Sequence, residues 1–196
     1  MNAQQLKNSI LQMAVSGKLV PQDPNDEPAS ALLERIRKEK EQLVKEGKIK
    51  KEKNPSYIFR GADNTPYEKV GKNEPVSIAD EVPFEIPESW EWIRLGSLLK
   101  IESGKGLTSK EMQPGTIPVY GGNGITGYHN KALVKEETVV IGRVGFYCGS
   151  VHVTEEKAWV TDNAFITTYP QKSINREYLV YCLRGMNLGQ NNNATA

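Results

Sequence analysis

The chain has 196 residues, 38% of them hydrophobic and 25% charged, with a formal net charge of +1. That length holds one ordinary domain with an appendage, or two small ones, and the modest apolar content leaves part of the chain outside any core. Near-neutral charge carries no polyelectrolyte signature, no window approaches the apolar run of a membrane span, and two cysteines, Cys148 and Cys182, cannot build a disulfide framework.

The first residues have neither the basic start nor the apolar stretch of a signal peptide, so a reducing cytoplasm is the expected compartment. Asn2 and Gln5 stand at capping-box spacing, and Leu6, Ile10 and Met13 or Ala14 recur at helical intervals until Gly17. Pro21 and Pro24 prevent continuation. Asp26-Glu27-Pro28 predicts a second helix, with acids at the positive end of its dipole and proline in its first turn. Leu32, Leu33, Ile36, Leu43 and Val44 form its stripe, and Gly47 ends it. Each stripe is narrow and needs a partner, so residues 1–53 read as a helical arm. Residues 31–53 carry nine basic and five acidic side chains, the marks of a solvated face. Residues 54–81, with Pro55, Pro66 and Pro75, read as an extended linker.

From Val82 the texture changes to short apolar runs punctuated by glycine and proline. Residues 117–120, 138–141, 149–153 and 164–169 predict strands, and 103–106 and 121–124 predict loops. One helix closes the region, capped by Asn175, with Tyr178, Leu179, Cys182 and Leu183 on its apolar face and Gly185 at its stop. Trp90, Trp92 and Trp159 are expected to fill or seal this domain's core. Residues 190–196 have nothing to bury and look like an interrupted sequence.

Gly122-Asn123-Gly124-Ile125-Thr126-Gly127 fits a dinucleotide fingerprint, yet no helix pattern follows it and no acid stands where the ribose would need one. It reads as a flexible loop. His129, Cys148, His152 and Cys182 lack metal-site spacing, so surface histidines and buried free thiols are expected, with no metal. Nucleophile elbows, zinc-protease motifs and Walker loops are missing. Glu136-Glu137 and Glu155-Glu156 are adjacent pairs that point to opposite strand faces. What remains is a scaffold with loops rich in amide, hydroxyl, basic and aromatic groups. These are Lys105, Thr108, Ser109 and Lys110, then Tyr120, Asn123, Thr126, Tyr128, His129, Asn130 and Lys131, then Arg143 and Tyr147 around a turn at Gly145. Such groups suit base edges and phosphates, although glycine-rich hairpins that only turn the chain would look the same.

Several ordered blocks carry a resemblance. Residues 8–22 (Asn8-Ser9-Ile10-Leu11 through Pro21-Gln22) lead into Glu27-Pro28-Ala29-Ser30-Ala31-Leu32-Leu33. Downstream come Pro83-Phe84-Glu85-Ile86-Pro87-Glu88-Ser89-Trp90-Glu91-Trp92, Ile117 to Gly124, Ile141-Gly142-Arg143 and Trp159 to Ala164. Together they resemble the DNA specificity subunit of type I restriction-modification enzymes: one target recognition domain with its spacer helices. The resemblance implies a non-catalytic subunit that reads one half of a bipartite double-stranded DNA target. It implies modification subunits, which methylate adenine with S-adenosylmethionine, and restriction subunits as partners. No cofactor is expected in this chain. A full subunit has two recognition domains and this chain has one, so a fragment or half-subunit is expected, truncated near the domain's C-terminal end.

The expectation is therefore α+β: a helical spacer arm over 1–53, an extended linker over 54–81 and a mixed β-rich recognition domain over 82–196. Leu6, Ile10, Ala14, Leu32, Leu33, Ile36, Leu43 and Val44 are the candidate partner interface, for a second recognition domain or for a homodimer. A non-catalytic assembly protein, or the recognition module of a stand-alone adenine methyltransferase, are the alternative functions. Against an autonomous methyltransferase, no Asn/Asp-Pro-Pro-Tyr run exists to hold a flipped adenine.

Overall fold

Two helices begin the chain, and local chemistry sets where each starts and stops. The structure, a computed structural model, describes residues 2–186 and 188–189. Helix α1 (Ala3–Val15) opens in a capping box: the Asn2 side chain accepts the Gln5 N–H and the Gln5 side chain accepts the Asn2 N–H, each at 2.8 Å. Helix α2 (Ala29–Lys45) differs from expectation at its start. Pro28 is the N-cap and no acid lies in the first turn; Glu27 instead pairs with Arg35 at 2.6 Å. The two exits share one geometry. Gly17 and Gly47 both take φ 71°, and the N–H groups of Lys18 and Lys48 donate to the Met13 and Leu43 carbonyls at 2.9 Å. This is the Schellman arrangement, whose left-handed residue glycine adopts without strain.

The chain clusters into two units, Met1–Leu98 and Leu99–Ala196. The boundary expected at residue 82 moves accordingly, and the extended linker expected over 54–81 is corrected. Its residues form an antiparallel meander of β1 (Ser56–Arg60), β2 (Pro66–Val70) and β3 (Val76–Ser77). The prolines fall where a sheet tolerates them: Pro55 and Pro75 precede strands and Pro66 is the first residue of one. Tyr57, Phe59 and Tyr67 stack along its surface with ring centroids 5.5 and 6.1 Å apart. A short helix, α3 (Leu95–Leu98), ends this unit.

The segment after the meander is stitched into the first unit by polar contacts. The Arg60 guanidinium donates to the Pro87 and Trp90 carbonyls at 3.1 Å, and the Trp90 indole N–H donates to the Gln22 side chain at 2.8 Å. Trp92 packs on Phe84 at 5.3 Å between centroids. Trp90 and Trp92 thus belong to the first unit. Only Trp159, of the three tryptophans expected in the β-rich domain, lies in the second.

Among its described residues the second unit holds two sheets. β4 (Lys100–Ser103), β10 (Ala164–Thr168), β7 (Val139–Gly142) and β8 (Val151–Val153) pair antiparallel in that spatial order. β6 (Gly124–His129) pairs antiparallel with β5 (Ile117–Gly121), which pairs parallel with β9 (Trp159–Val160). Tyr120, Val140, Ala158, Val160 and Ala164 form the core cluster, with Val134 and Ile166 packed against it. Helix α4 (Arg176–Gly185) buries Leu179, Val180 and Leu183, and the Asn175 side chain caps it by accepting the Tyr178 N–H at 2.9 Å. Gly185 is its last helical residue rather than the residue beyond its end. The architecture is α+β, and no described helix is long and apolar enough to cross a membrane. Residues 190–196, expected as an interrupted end, lie outside the described residues.

Candidate nucleic-acid interface

The glycine-rich stretch after β5 is a hairpin, not the flexible loop expected. Gly121 pairs with Gly124 across a two-residue turn, Gly122-Asn123, and Gly124 takes φ 86°. A strand rather than a helix follows the fingerprint, so no helix N-terminus faces a pyrophosphate there. Tyr120 pairs with Ile125 and Val119 with Gly127, which leaves Thr126 as the extra residue of a β-bulge. Its hydroxyl donates to the Val119 carbonyl at 3.2 Å.

This register divides residues expected to act together. Asn123 and Thr126 sit at the turn end, while Tyr128, Asn130 and Lys131 sit at the opposite end, where Asn130 donates to Gln113 at 2.9 Å. Tyr120 and His129 face inward, 6% and 5% exposed. Burial raises the Tyr120 phenol above its ordinary pKa. His129 Nδ1 accepts the Gln113 N–H at 3.0 Å, and its ring meets Trp159 edge-on at 5.4 Å. Both side chains support the surface and neither opens onto it.

A cleft of about 780 Å³ lies beside the turn, lined by residues 106–109 and 111–112, Gly121, Gly122, Thr126 and Thr161–Asn163. Of the expected contacts, Thr108, Ser109 and Thr126 line it, and Lys105 and Lys110 are exposed on the same loop. That loop is shaped from within. The Glu111 carboxylate accepts both the N–H and the hydroxyl of Thr108 at 2.8 Å, and these bonds hold its pKa below the ordinary value. Lys105 is pinned to β9: its N–H donates to the Val160 carbonyl and its carbonyl accepts the Trp159 indole N–H, both at 2.9 Å. Sequence reasoning missed Glu111, Asp162 and Asn163. The Thr108-to-Glu111 spacing is the capping-box signal that identifies the first of them. Their carboxylate and amide groups, with the Thr108, Ser109 and Thr126 hydroxyls of the same cleft, suit the amino and carbonyl edges of bases.

The β7–β8 loop adjoins this cleft. Arg143 stands at its base, where its N–H donates to the Asn163 carbonyl at 2.9 Å. Its Nη1 donates to the Ser103 hydroxyl at 3.0 Å and the Asp162 carbonyl at 3.2 Å. The guanidinium is exposed but positioned. Tyr147 is 47% exposed, and Phe146, which sequence reasoning passed over, is 93% exposed. Its place after a turn glycine, Gly145, is the signal that was available.

His152, expected on the surface, is half-buried with no hydrogen-bond partner for Nε2. Burial first, and the Arg184 charge second, push its pKa down. Cys182 is half-buried, which raises its thiol pKa, and the Cys148 thiol donates to the Arg143 carbonyl at 3.3 Å. Among the described residues no three His, Cys, Asp or Glu side chains gather where they could hold a metal ion.

In the first unit, Leu6 and Ile10 are 51% and 46% exposed, and Ala14 is half-buried. The α2 stripe is different. Ile36 is 4% exposed, and with Leu33 and Val44 it shares a groove with Tyr57, Ile58 and Trp92. Leu32, Leu33, Leu43 and Val44 are half-buried. Ile36 is therefore covered by its own unit and is withdrawn from the external interface.

Comparison with known proteins bears on this surface. A stretch of 105 residues, 54% of the chain, is 52% identical to the type I restriction enzyme EcoAI specificity subunit of Escherichia coli. Another of 114 residues, 58% of the chain, is 45% identical to the Escherichia coli EcoEI specificity subunit. These matches span 15% and 16% of the relatives' own lengths. The type I restriction-modification S subunit of M. genitalium, a crystal structure, aligns over 92% of this chain and 40% of its own at 17% identity, with a TM-score of 0.39. The family model described as "Type I restriction modification DNA specificity domain" matches residues 87–195, more than half of the chain, and the chain belongs to that family.

Proposed function

We propose that the chain reads sequence in double-stranded DNA, without catalysing a reaction, for a type I restriction-modification complex. One observation carries this reading: the DNA specificity family match spans the unit whose cleft presents Thr108, Ser109, Thr126, Asp162 and Asn163 beside a positioned Arg143. Hydroxyls, amides and carboxylates discriminate base edges, while Lys105, Lys110 and Lys131 would meet phosphates. Tyr128, Asn130 and Lys131 would touch the duplex only if it runs along the hairpin. Tyr120 and His129 act behind the surface.

The chain would read one half of a bipartite target, with methyltransferase subunits, which would bind S-adenosylmethionine, docked on its helical arm. The exposed Leu6 and Ile10 of α1 support a docking role. They would meet a spacer helix of a second recognition domain, or the same helix in a second copy.

Competition binding with random duplexes tests this. Enrichment of a short motif is the expected result. Binding that is salt-sensitive yet blind to sequence would leave only phosphate attraction. No binding would turn the loops into protein-contact surfaces.

A further inference from the structure

We propose that the β7–β8 loop is a wedge whose tip residue, Phe146, inserts between neighbouring base pairs of the bound duplex. This rests on the DNA-recognition reading and adds to it a residue that senses how easily a base step deforms.

Three observations carry it. The first is an exposed aromatic tip above a hydrogen-bonded backbone. Phe146 is 93% exposed, flanked by Val144 at 48% and Tyr147 at 47%, with the Phe146 and Tyr147 rings edge-to-face at 5.2 Å. Beneath them the loop is tightly bonded. Gly149 N–H donates to the Gly142 carbonyl and Gly142 N–H to the Ser150 carbonyl, each at 2.8 Å. Cys148 N–H reaches the Gly145 carbonyl at 3.1 Å and Ser150 N–H the Tyr147 carbonyl at 3.0 Å. Gly145 and Gly149 supply the left-handed turns, at φ 75° and 84°. The aromatic tip is thus held out by a scaffold, which lowers the cost of ordering it on binding.

The second observation is position. The Ser150 hydroxyl donates to the Gly122 carbonyl, and Arg143 N–H donates to the Asn163 carbonyl. Gly122 and Asn163 line the cleft, so the loop rises from its rim. The third is charge and shape. Residues 138–154 contain no carboxylate and include Arg143 at the loop's base, so nothing there repels a phosphate backbone. A narrow hairpin tip fits a base step, whereas a broad flat face would suit a protein partner. Apolar side chains on DNA-bound proteins act this way, partly unstacking a step and kinking the duplex. Pyrimidine–purine steps yield most easily and should be preferred at the insertion point.

The test uses the full chain and a duplex of its enriched sequence, with 2-aminopurine placed at successive positions. Wild type should raise the fluorescence at one step. Phe146→Ala should abolish that rise, weaken binding about 5- to 150-fold, the span of aromatic–base stacking, and relax the preference at the insertion step while still enriching the rest of the motif. Phe146→Leu should keep part of both. Because the side chain is exposed, both variants should melt like wild type. Enrichment by wild type without any fluorescence rise, or an unchanged signal in Phe146→Ala, overturns the wedge and leaves the recognition reading standing. Failure of wild type to enrich any motif overturns the recognition reading, and the wedge with it. If Phe146→Ala melts early, wild type and Phe146→Leu still decide the matter.

Discussion

The Ser150 hydroxyl donates a hydrogen bond to the Gly122 carbonyl, tying the β7–β8 loop to the β5–β6 turn. Ser150→Ala removes it and leaves a carbonyl at the cleft rim without that partner. A neutral bond of this kind is worth about 0.5–1.5 kcal/mol, so denaturant unfolding should show a loss in that range. Amide exchange should quicken through the loop and turn more than in α4. Uniform exchange across the unit would mean the contact does not hold these two segments together.

Arg143→Ala should weaken duplex binding by about 1–3 kcal/mol with relaxed preference at one position, if the guanidinium reads a base. The variant also loses the Ser103 and Asp162 anchors, so its melting must be checked alongside. Arg143→Lys keeps the charge but not the planar fork. Equal loss on all sequences in Ala, restored by Lys, assigns the residue to phosphate positioning. No loss in either moves the contact elsewhere.

How far the sequence carried the fold depends on where the deciding interaction sits. Asn2 with Gln5, Asn175, Gly17 and Gly47 were legible because caps are local. The strands at 117–121, 139–142 and 164–168 were legible from their apolar runs. β1 to β3 were not, because proline density outweighed the short apolar run Tyr57-Ile58-Phe59. β6 was hidden by Gly124 and Gly127. The site was half legible. Residue types singled out Thr108, Ser109 and Thr126, which line one cleft, and Arg143, which bonds to its Asp162 carbonyl. The inward turn of Tyr120 and His129, however, depends on register, and a one-residue bulge at Thr126 resets it.

Gly104 tests whether the cleft loop needs its close approach to β9. A Cβ there would lie 2.2 Å from the Thr161 carbonyl oxygen and 2.4 Å from that of Val160. Backbone cannot swing aside as a side chain can. Gly104→Ala should cost about 1–3 kcal/mol, read by thermal or denaturant melting. Gly96→Ala is the control: a Cβ there meets nothing within 4 Å, and the substitution should be neutral or stabilising by up to about 1 kcal/mol. Equal effects at the two glycines would refute the close-packing argument.

Leu6 and Ile10 are exposed apolar residues on one face of α1, and the arm should self-associate through them where no other partner is supplied. Sedimentation should show concentration-dependent association that weakens when both become serine. These positions are preferable to Ile36, whose replacement would damage the packing of its own unit. A wild-type monomer at high micromolar concentration, with α1 helical, would exclude the homodimer and leave the other docking roles.

His152 gives the second unit a dependence on pH whose sign follows from its surroundings. Its ring packs under Gly124, with Cε1 3.4 Å from where a Cβ there would stand, and Nε2 is buried without a partner. Burial and the nearby Arg184 charge both disfavour the imidazolium, so the folded pKa lies below the ordinary 6.5. As pH falls, the unfolded chain takes up this proton first. The stabilisation is therefore complete above pH 6.5 and is lost as pH falls toward the lower folded value. Unfolding free energy should be flat from about pH 8 to 7 and then decline, at no more than a one-proton slope, below about 6.5. His152→Phe should remove that segment of the decline. The acid-side loss at lower pH should remain, because Glu111 has a lowered carboxyl pKa and loses its stabilisation only as pH falls below the ordinary 4.5. An NMR titration placing His152 at or above the ordinary histidine value would refute the sign.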